Sequence, residues 1–299
     1  MRIYIAAMFT SNFGMNSTAF HQLNEREQQA RAEVTNVLES YHYIHKQAYV
    51  DKIREDGVKV FLDSGAFSAF TKGVDVDIHQ YCEYIQRNRD IIDVASVLDG
   101  IGDAQKTLDN QRIMESEGVQ PLPCFHYGED ERYLTYYMDN YEYITLGGMV
   151  PISTPQLKLW LDRLWEHYLT DANGLPRLKV HGFGLTTLSL MERYPWYSVD
   201  SSSWVQMAAN GAIYLPEYGI IPISAKSPVA KKEGMHFLNR PVEEQLAIRQ
   251  KISDYGFDVD RMVENYRTRW TFNAWIYTVL NKTYDTKSPN FYADQMGLF

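Results

Sequence analysis

With 299 residues, 45% of them hydrophobic, the chain can bury a full core as one large α/β domain or two smaller ones. Its net charge of −9 rules out attraction of nucleic acid through the mean field, so any such binding must use a local basic patch. The two cysteines, Cys82 and Cys124, lie too far apart for a CxxC pair; they exclude a disulfide framework and a cysteine-rich structural zinc, and suit a reducing cytoplasm.

The first segment, Met1 to Met8, is apolar but too short for a signal peptide or a membrane span, and it reads as a strand. Further strands are predicted at 58–63, 93–98, 120–126, 143–148, 178–183, 196–200 and 219–224. Polar, periodic segments suited to helices lie between them at 22–40, 77–90, 103–117, 130–140, 154–170 and 186–193. Several strands are nearly continuous apolar runs, as parallel strands covered on both faces require. The rhythm predicts an α/β (β/α)8 TIM-like barrel, with a doubly wound open sheet as the alternative. After Asp200 the rhythm loosens: 211–224 also reads as a hairpin or a crossover, and helices follow at 241–254 and 258–281. The expected organisation is a single barrel domain over 1–299, with 241–299 as a C-terminal helical extension.

Chemistry gathers where the predicted strands end. Val60-Phe61-Leu62 runs straight into Asp63-Ser64-Gly65-Ala66-Phe67, which places a carboxylate at the mouth of the sheet. Later strand ends carry Asp99-Gly100-Ile101-Gly102-Asp103, His126-Tyr127-Gly128, Gly147-Gly148-Met149, His181-Gly182-Phe183-Gly184 and Asp200-Ser201-Ser202-Ser203. Asp63, Asp103 or Asp200 alone could cap the next helix, and either histidine alone could be a half-buried structural side chain. Six loops loaded alike point instead to a shared pocket. Two chemistries fit it. Metal-assisted hydrolysis would draw on Asp63, His126, His181 and Asp200, but the chain has no His-x-His pair. Glycosidic-bond chemistry needs only two carboxylates, one attacking the anomeric carbon and one moving the proton, for which Asp200 and Asp63 are candidates. Phe67 would stack on a planar leaving group and Asp99 would accept from its N–H donors, which suits a nucleobase.

The ordered set of motifs resembles the tRNA-guanine transglycosylase superfamily. Asp63-Ser64-Gly65-Ala66-Phe67 is similar to its DSG(G/A)(F/Y) signature and Leu146-Gly147-Gly148-Met149 to its GGL segment. Val97-Leu98-Asp99, His181-Gly182-Phe183-Gly184 and Val199-Asp200 resemble its base-recognition, xGxG and nucleophile segments. The likeness covers residues 60–205. It implies that Asp200 is the nucleophile and Asp63 the general acid/base. It also implies that Ser64, Phe67, Asp99, Asp103, His126, Tyr127, Gly147, Gly148, Met149 and His181 surround the base, with no cofactor and no catalytic metal.

Two departures refine the resemblance. The tRNA enzymes hold a structural zinc through three cysteines and a histidine beyond the nucleophile, whereas no cysteine follows Cys124 here, so no zinc subdomain is expected. His126-Tyr127-Gly128 stands where the family often carries a Gln-Gly pair. A compact, zinc-less chain is most similar to phage-encoded DNA transglycosylases. These imply DNA as the polymer (tRNA as the alternative), a 7-deazaguanine as the small-molecule partner and a cytoplasmic setting. Phosphate contacts are expected from Lys226, Lys231, Lys232 and Arg240, with Arg261, Arg267 and Arg269 as a second patch. A non-catalytic binding subunit that kept the pocket is a further alternative, against which the intact pair of acids argues.

Overall fold

A computed structural model describes residues 1–185, 187–228 and 236–285. The chain forms two compact units, one containing Met1–Thr10 and Asn36–Ser201, the other Ser11–Thr35 and Ser202–Lys282. The first carries eight parallel strands: β1 (Arg2–Ala6), β2 (Val37–Ser40), β3 (Val60–Asp63), β4 (Ile92–Ala95), β5 (Cys124–His126), β6 (Tyr143–Gly147), β7 (Lys179–Gly182) and β8 (Ser198–Ser201). They pair in the order β4-β3-β2-β1-β8-β7-β6-β5, and β4 meets β5 through one parallel bridge between Ser96 and Leu122. This is the expected (β/α)8 barrel architecture.

The strand sequences explain the arrangement. Ile3-Tyr4-Ile5-Ala6 and Val60-Phe61-Leu62 are wholly buried, because one face points into the ring and the other into the helical layer. Inside, Tyr4, Ala6, Leu38 and Phe61 form one cluster, against which Val94, Leu122 and Phe183 pack. A large apolar side chain buried in this way contributes about 1.5–3 kcal/mol. Period two then decides what stands above the cluster. Ser40 and Asp63 follow Leu38 and Phe61 on the same faces and lie opposite each other in register, as Asp200 does with Tyr4.

Helices alternate with the strands, and short polar side chains start them. Asp77 accepts from His79 and Gln80 N–H groups, Asp103 from that of Lys106, and Asp130 from that of Arg132. Helix Ile78–Arg87 buries Tyr81, Cys82, Tyr84 and Ile85, a stripe of helical period. Among the described residues, no helix is long and apolar enough to cross a membrane.

Two predicted elements are corrected. The segment 22–40 is not one helix: the helix closes at Ala32, and Val37–Ser40 is the second barrel strand. The segment 219–224 is not the eighth barrel strand. Gly219–Pro222 (β10) pairs antiparallel with Ala212–Leu215 (β9) in the second unit, which is the hairpin alternative. The strand β2 escapes a hydropathy pattern because its four residues include an acid. Glu39 is buried, accepting from the Phe9 N–H at 2.5 Å and the Thr10 hydroxyl at 2.6 Å. Burial outweighs those bonds and raises its pKa to about 7.

The second unit is organised around another buried acid. Glu27 accepts from two guanidinium nitrogens of Arg261, Nε and Nη2, at 2.8 Å and from the Thr268 hydroxyl at 2.8 Å. The predicted helix 258–281 is divided into Val259–Glu264 and Tyr266–Asp285, with Asn265 accepting from the Arg267 N–H at the break. Asn273 ties that second helix to the hairpin, accepting from Tyr214 N–H at 2.9 Å.

Glu39→Ala is expected to destabilise the fold by about 1–3 kcal/mol in urea melts at pH 6, because it strips a buried N–H of its acceptor. Glu39→Gln, which keeps an acceptor oxygen, is expected to cost less.

Candidate active site

The carboxyl ends of the barrel strands bring three acids into one electrostatic environment. Asp63 ends β3, Asp99 lies just beyond β4, and Asp200 sits within β8. Burial, followed by the negative charges of Asp99 and Asp200, raises the pKa of Asp63 to about 7. The bond it receives from the Gly65 N–H, at 3.0 Å, opposes that rise without cancelling it.

Two imidazoles serve the outer two acids. His126 Nε2 lies 3.3 Å from Asp99 Oδ1, and His181 Nε2 lies 3.4 Å from Asp200 Oδ1. The middle acid has no such partner among the described residues. Buried beside two other carboxylates and without an imidazole of its own, Asp63 holds its proton and titrates near neutrality.

The two histidines are held differently. His181 is fully buried, with its ring 4.5 Å from Phe61 and 4.6 Å from Phe183. Its Nδ1 lies 2.7 Å from Ser198 Oγ, which lies 2.7 Å from the Tyr143 hydroxyl. Burial lowers its pKa, against the opposing pull of Asp200, so the ring is neutral at neutral pH. With Ser198 donating to Nδ1, the tautomer that suits this chain places the proton on Nε2, toward Asp200. The nucleophile candidate is fixed further by the Gly184 N–H, which donates to Asp200 Oδ1 at 2.8 Å.

His126 instead sits between carboxylates. Glu129 accepts from its backbone N–H at 2.9 Å and faces its Nδ1 at 2.9 Å, while Cys124 Sγ lies 3.4 Å from Nε2. Burial works against a charge on His126, but Cys124 and Asp99 outweigh it and raise its pKa. Burial also raises the Cys124 thiol to about 11, so at neutral pH the thiol is uncharged and Asp99 is the partner that matters. Asp99 Oδ1, Cys124 Sγ and the His126 ring form a group whose ligand atoms all lie within 4.8 Å of one another. It is the one set among the described residues with the composition of a metal site.

The glycines keep the space open. Gly65 has φ of 74°, and a Cβ there would stand 2.3 Å from Ser40 Oγ and 2.5 Å from His42 Cβ. A Cβ on Gly147 would stand 2.9 Å from both Cys124 Sγ and His126 Cδ2. Gly148 follows at the surface, and Met149 is buried. Ser64 is buried, its N–H donating to Ser96 Oγ at 3.2 Å. Phe67 is 59% exposed on the helix just past Asp63, and Phe70 is 65% exposed one turn on. Tyr127 is half-buried, its ring 5.3 Å from that of Trp160. Asp103 is exposed and occupied as a helix cap, the alternative its sequence context left open.

The basic residues belong to the second unit, and most are already engaged. Lys226 is exposed. Arg240 is paired with Glu244 in the first turn of the helix that follows it, Arg261 is clamped on Glu27, and Arg269 is buried against the carbonyls of Ala208 and Met262. Arg267 lies over the Tyr266 ring. Lys231 and Lys232 fall outside the described residues. Cys124, Glu129, Ser40 and Ser198 were not singled out as site residues from sequence. Cys124 and His126 do stand two apart in a strand, the spacing that puts both on one face.

No protein-family model matches the chain, and no curated protein matches it.

Because the native state holds a proton on Asp63 that the unfolded chain releases near pH 3.8, Asp63 weakens the fold as pH rises from about 4 to 7. Asp63→Asn is therefore expected to stabilise the protein at pH 8, by on the order of 2 kcal/mol. The gain should fade toward pH 4 in thermal melts across that range.

Proposed function

We propose that this protein is a base-exchange transglycosylase that replaces guanine in DNA with a 7-deazaguanine through a covalent aspartyl-glycosyl intermediate. The observation that carries the reading is the shared environment of Asp63, Asp99 and Asp200 at the strand ends, in which the middle acid keeps its proton to about pH 7. A reaction that first expels one purine and then admits another needs a group able both to give and to take a proton at that pH.

In the proposed sequence the Asp200 carboxylate attacks C1′, and the bond from C1′ to N9 breaks with its electron pair going to guanine. The oxygen held by Gly184 and facing His181 is engaged, which leaves attack to the other oxygen. Protonated Asp63 supplies the proton that guanine takes up on leaving. As a carboxylate it then accepts the N9 proton of the incoming 7-deazaguanine, whose nitrogen displaces Asp200 from C1′. Asp99 accepts from the ring N–H and exocyclic amine of the base, and exposed Phe67 offers it a flat face. The target nucleotide must leave the stack for C1′ to reach a buried Asp200, as in other enzymes that act on bases.

The test supplies DNA or tRNA with a radiolabelled 7-deazaguanine, followed by digestion to nucleosides. Label is expected in a deoxynucleoside, with a pH–rate limb near 7 that Asp63→Asn removes. Asp63→Asn should slow exchange by about 10²–10⁴-fold, and Asp200→Ala should abolish it. Label entering tRNA alone would move the substrate to RNA. Label entering neither polymer would overturn the proposal.

A further inference from the structure

We infer that Asp99, Cys124 and His126 form a binding site for one Zn²⁺-class ion, held by three protein ligands with a fourth position open to water or a substrate atom. The site goes beyond the exchange reaction proposed above and does not rest on it, although it draws on Asp99, which that reaction uses toward the base.

The geometry begins with the chain. Cys124 and His126 are alternate residues of β5, so both side chains emerge on one face of the strand. Asp99 arrives from the segment after β4, the neighbour that β5 meets through the Ser96–Leu122 bridge. Sulfur, nitrogen and oxygen thereby converge from two adjacent strand ends.

The two spacings that run from His126 Nε2 are those of ligands around a common centre. Zinc bonds of about 2.3 Å to sulfur and 2.0–2.1 Å to nitrogen and oxygen at tetrahedral angles imply about 3.6 Å between S and N, and about 3.3 Å between N and O. The observed separations are 3.4 Å from Cys124 Sγ to His126 Nε2 and 3.3 Å from that nitrogen to Asp99 Oδ1. Asp99 Oδ1 is buried and makes no hydrogen bond of acceptable angle despite that distance. An oxygen that faces a nitrogen without a shared hydrogen is placed as a coordinating atom would be.

The surroundings fit the same reading. Metal-bound histidines usually give their other ring N–H to a carboxylate, which fixes the tautomer and the ring plane. Glu129 does this at His126 Nδ1, at 2.9 Å, and clamps the backbone N–H of the same residue. Gly147 leaves the space that a side chain would fill against Cys124 and His126. A mixed S, N, O donor set suits Zn²⁺ and not Mg²⁺ or Ca²⁺, which take oxygen ligands. Three protein ligands, where structural zinc sites have four, are the pattern that keeps a position open.

The full chain, stripped with a chelator and reloaded with Zn²⁺, is expected to hold one equivalent by elemental analysis. Reloaded with Co²⁺, it should show a thiolate-to-cobalt charge-transfer band together with tetrahedral visible bands. Cys124→Ser should remove the charge-transfer band, and Asp99→Asn should weaken binding, while Cys82→Ser leaves both unchanged. Glu129→Gln, which keeps the three ligands, should lower affinity by about 10–100-fold. Failure to retain stoichiometric metal, or a cobalt spectrum that survives Cys124→Ser, would overturn the assignment.

Discussion

Three carboxylates share the barrel mouth with one charged imidazole, that of His126, and that shortage of positive charge governs the site. Asp99 faces charged His126, Asp200 is held by neutral His181 and the Gly184 N–H, and the remaining acid, Asp63, keeps its proton. A buried, unpaired carboxylate is among the costliest groups a fold can carry, and holding a proton relieves that cost. The same device yields chemistry. A carboxyl group that titrates near pH 7 is a proton donor and acceptor by turns, while its neighbours stay fixed by their own partners.

The barrel makes this arrangement repeatable because its interior obeys a period of two. Phe61, Leu38, Tyr4 and Ala6 fill the ring with apolar volume; one step beyond Phe61 and Leu38 the same faces present Asp63 and Ser40, while Asp200 stands in register with Tyr4. His181 belongs to both layers. Its ring packs on Phe61 and Phe183, while its nitrogens join Ser198 to Asp200. Tyr143, Ser198 and His181 therefore set the position of Asp200 from beneath, and the Gly184 N–H fixes it further.

Much of this was legible in the residues themselves. Val60-Phe61-Leu62 could only be a buried strand, and Asp63-Ser64-Gly65 after it could only be a turn at a strand end. The acids that end β3 and lie in β8 were identifiable for that reason. The strand β2 was not, because Glu39 interrupts its apolar run and is satisfied by Phe9 and Thr10, some thirty residues away in sequence. The eighth strand was misassigned to 219–224 because an apolar hairpin strand and a barrel strand have the same local pattern. The pairing of Asp99 with His126, and the clamp of Glu129 on it, depend on which strands become neighbours, which no local pattern contains. Likewise Arg261 reads as a free cation until Glu27, far from it in sequence, is placed beneath it.

The meeting of β4 and β5 has a mechanical side. Every other neighbouring pair in the ring is stitched by a register of two or more residues, whereas this one has the single bridge of Ser96 and Leu122, made by the bonds of Leu122 to Ala95 and Val97. The hoop is thinnest there, and Asp99 stands on one lip with Cys124 and His126 on the other. Whatever spans those lips acts as a rivet: it adds a cross-link where the backbone supplies least, and occupancy of the mouth becomes coupled to the stiffness of the whole ring.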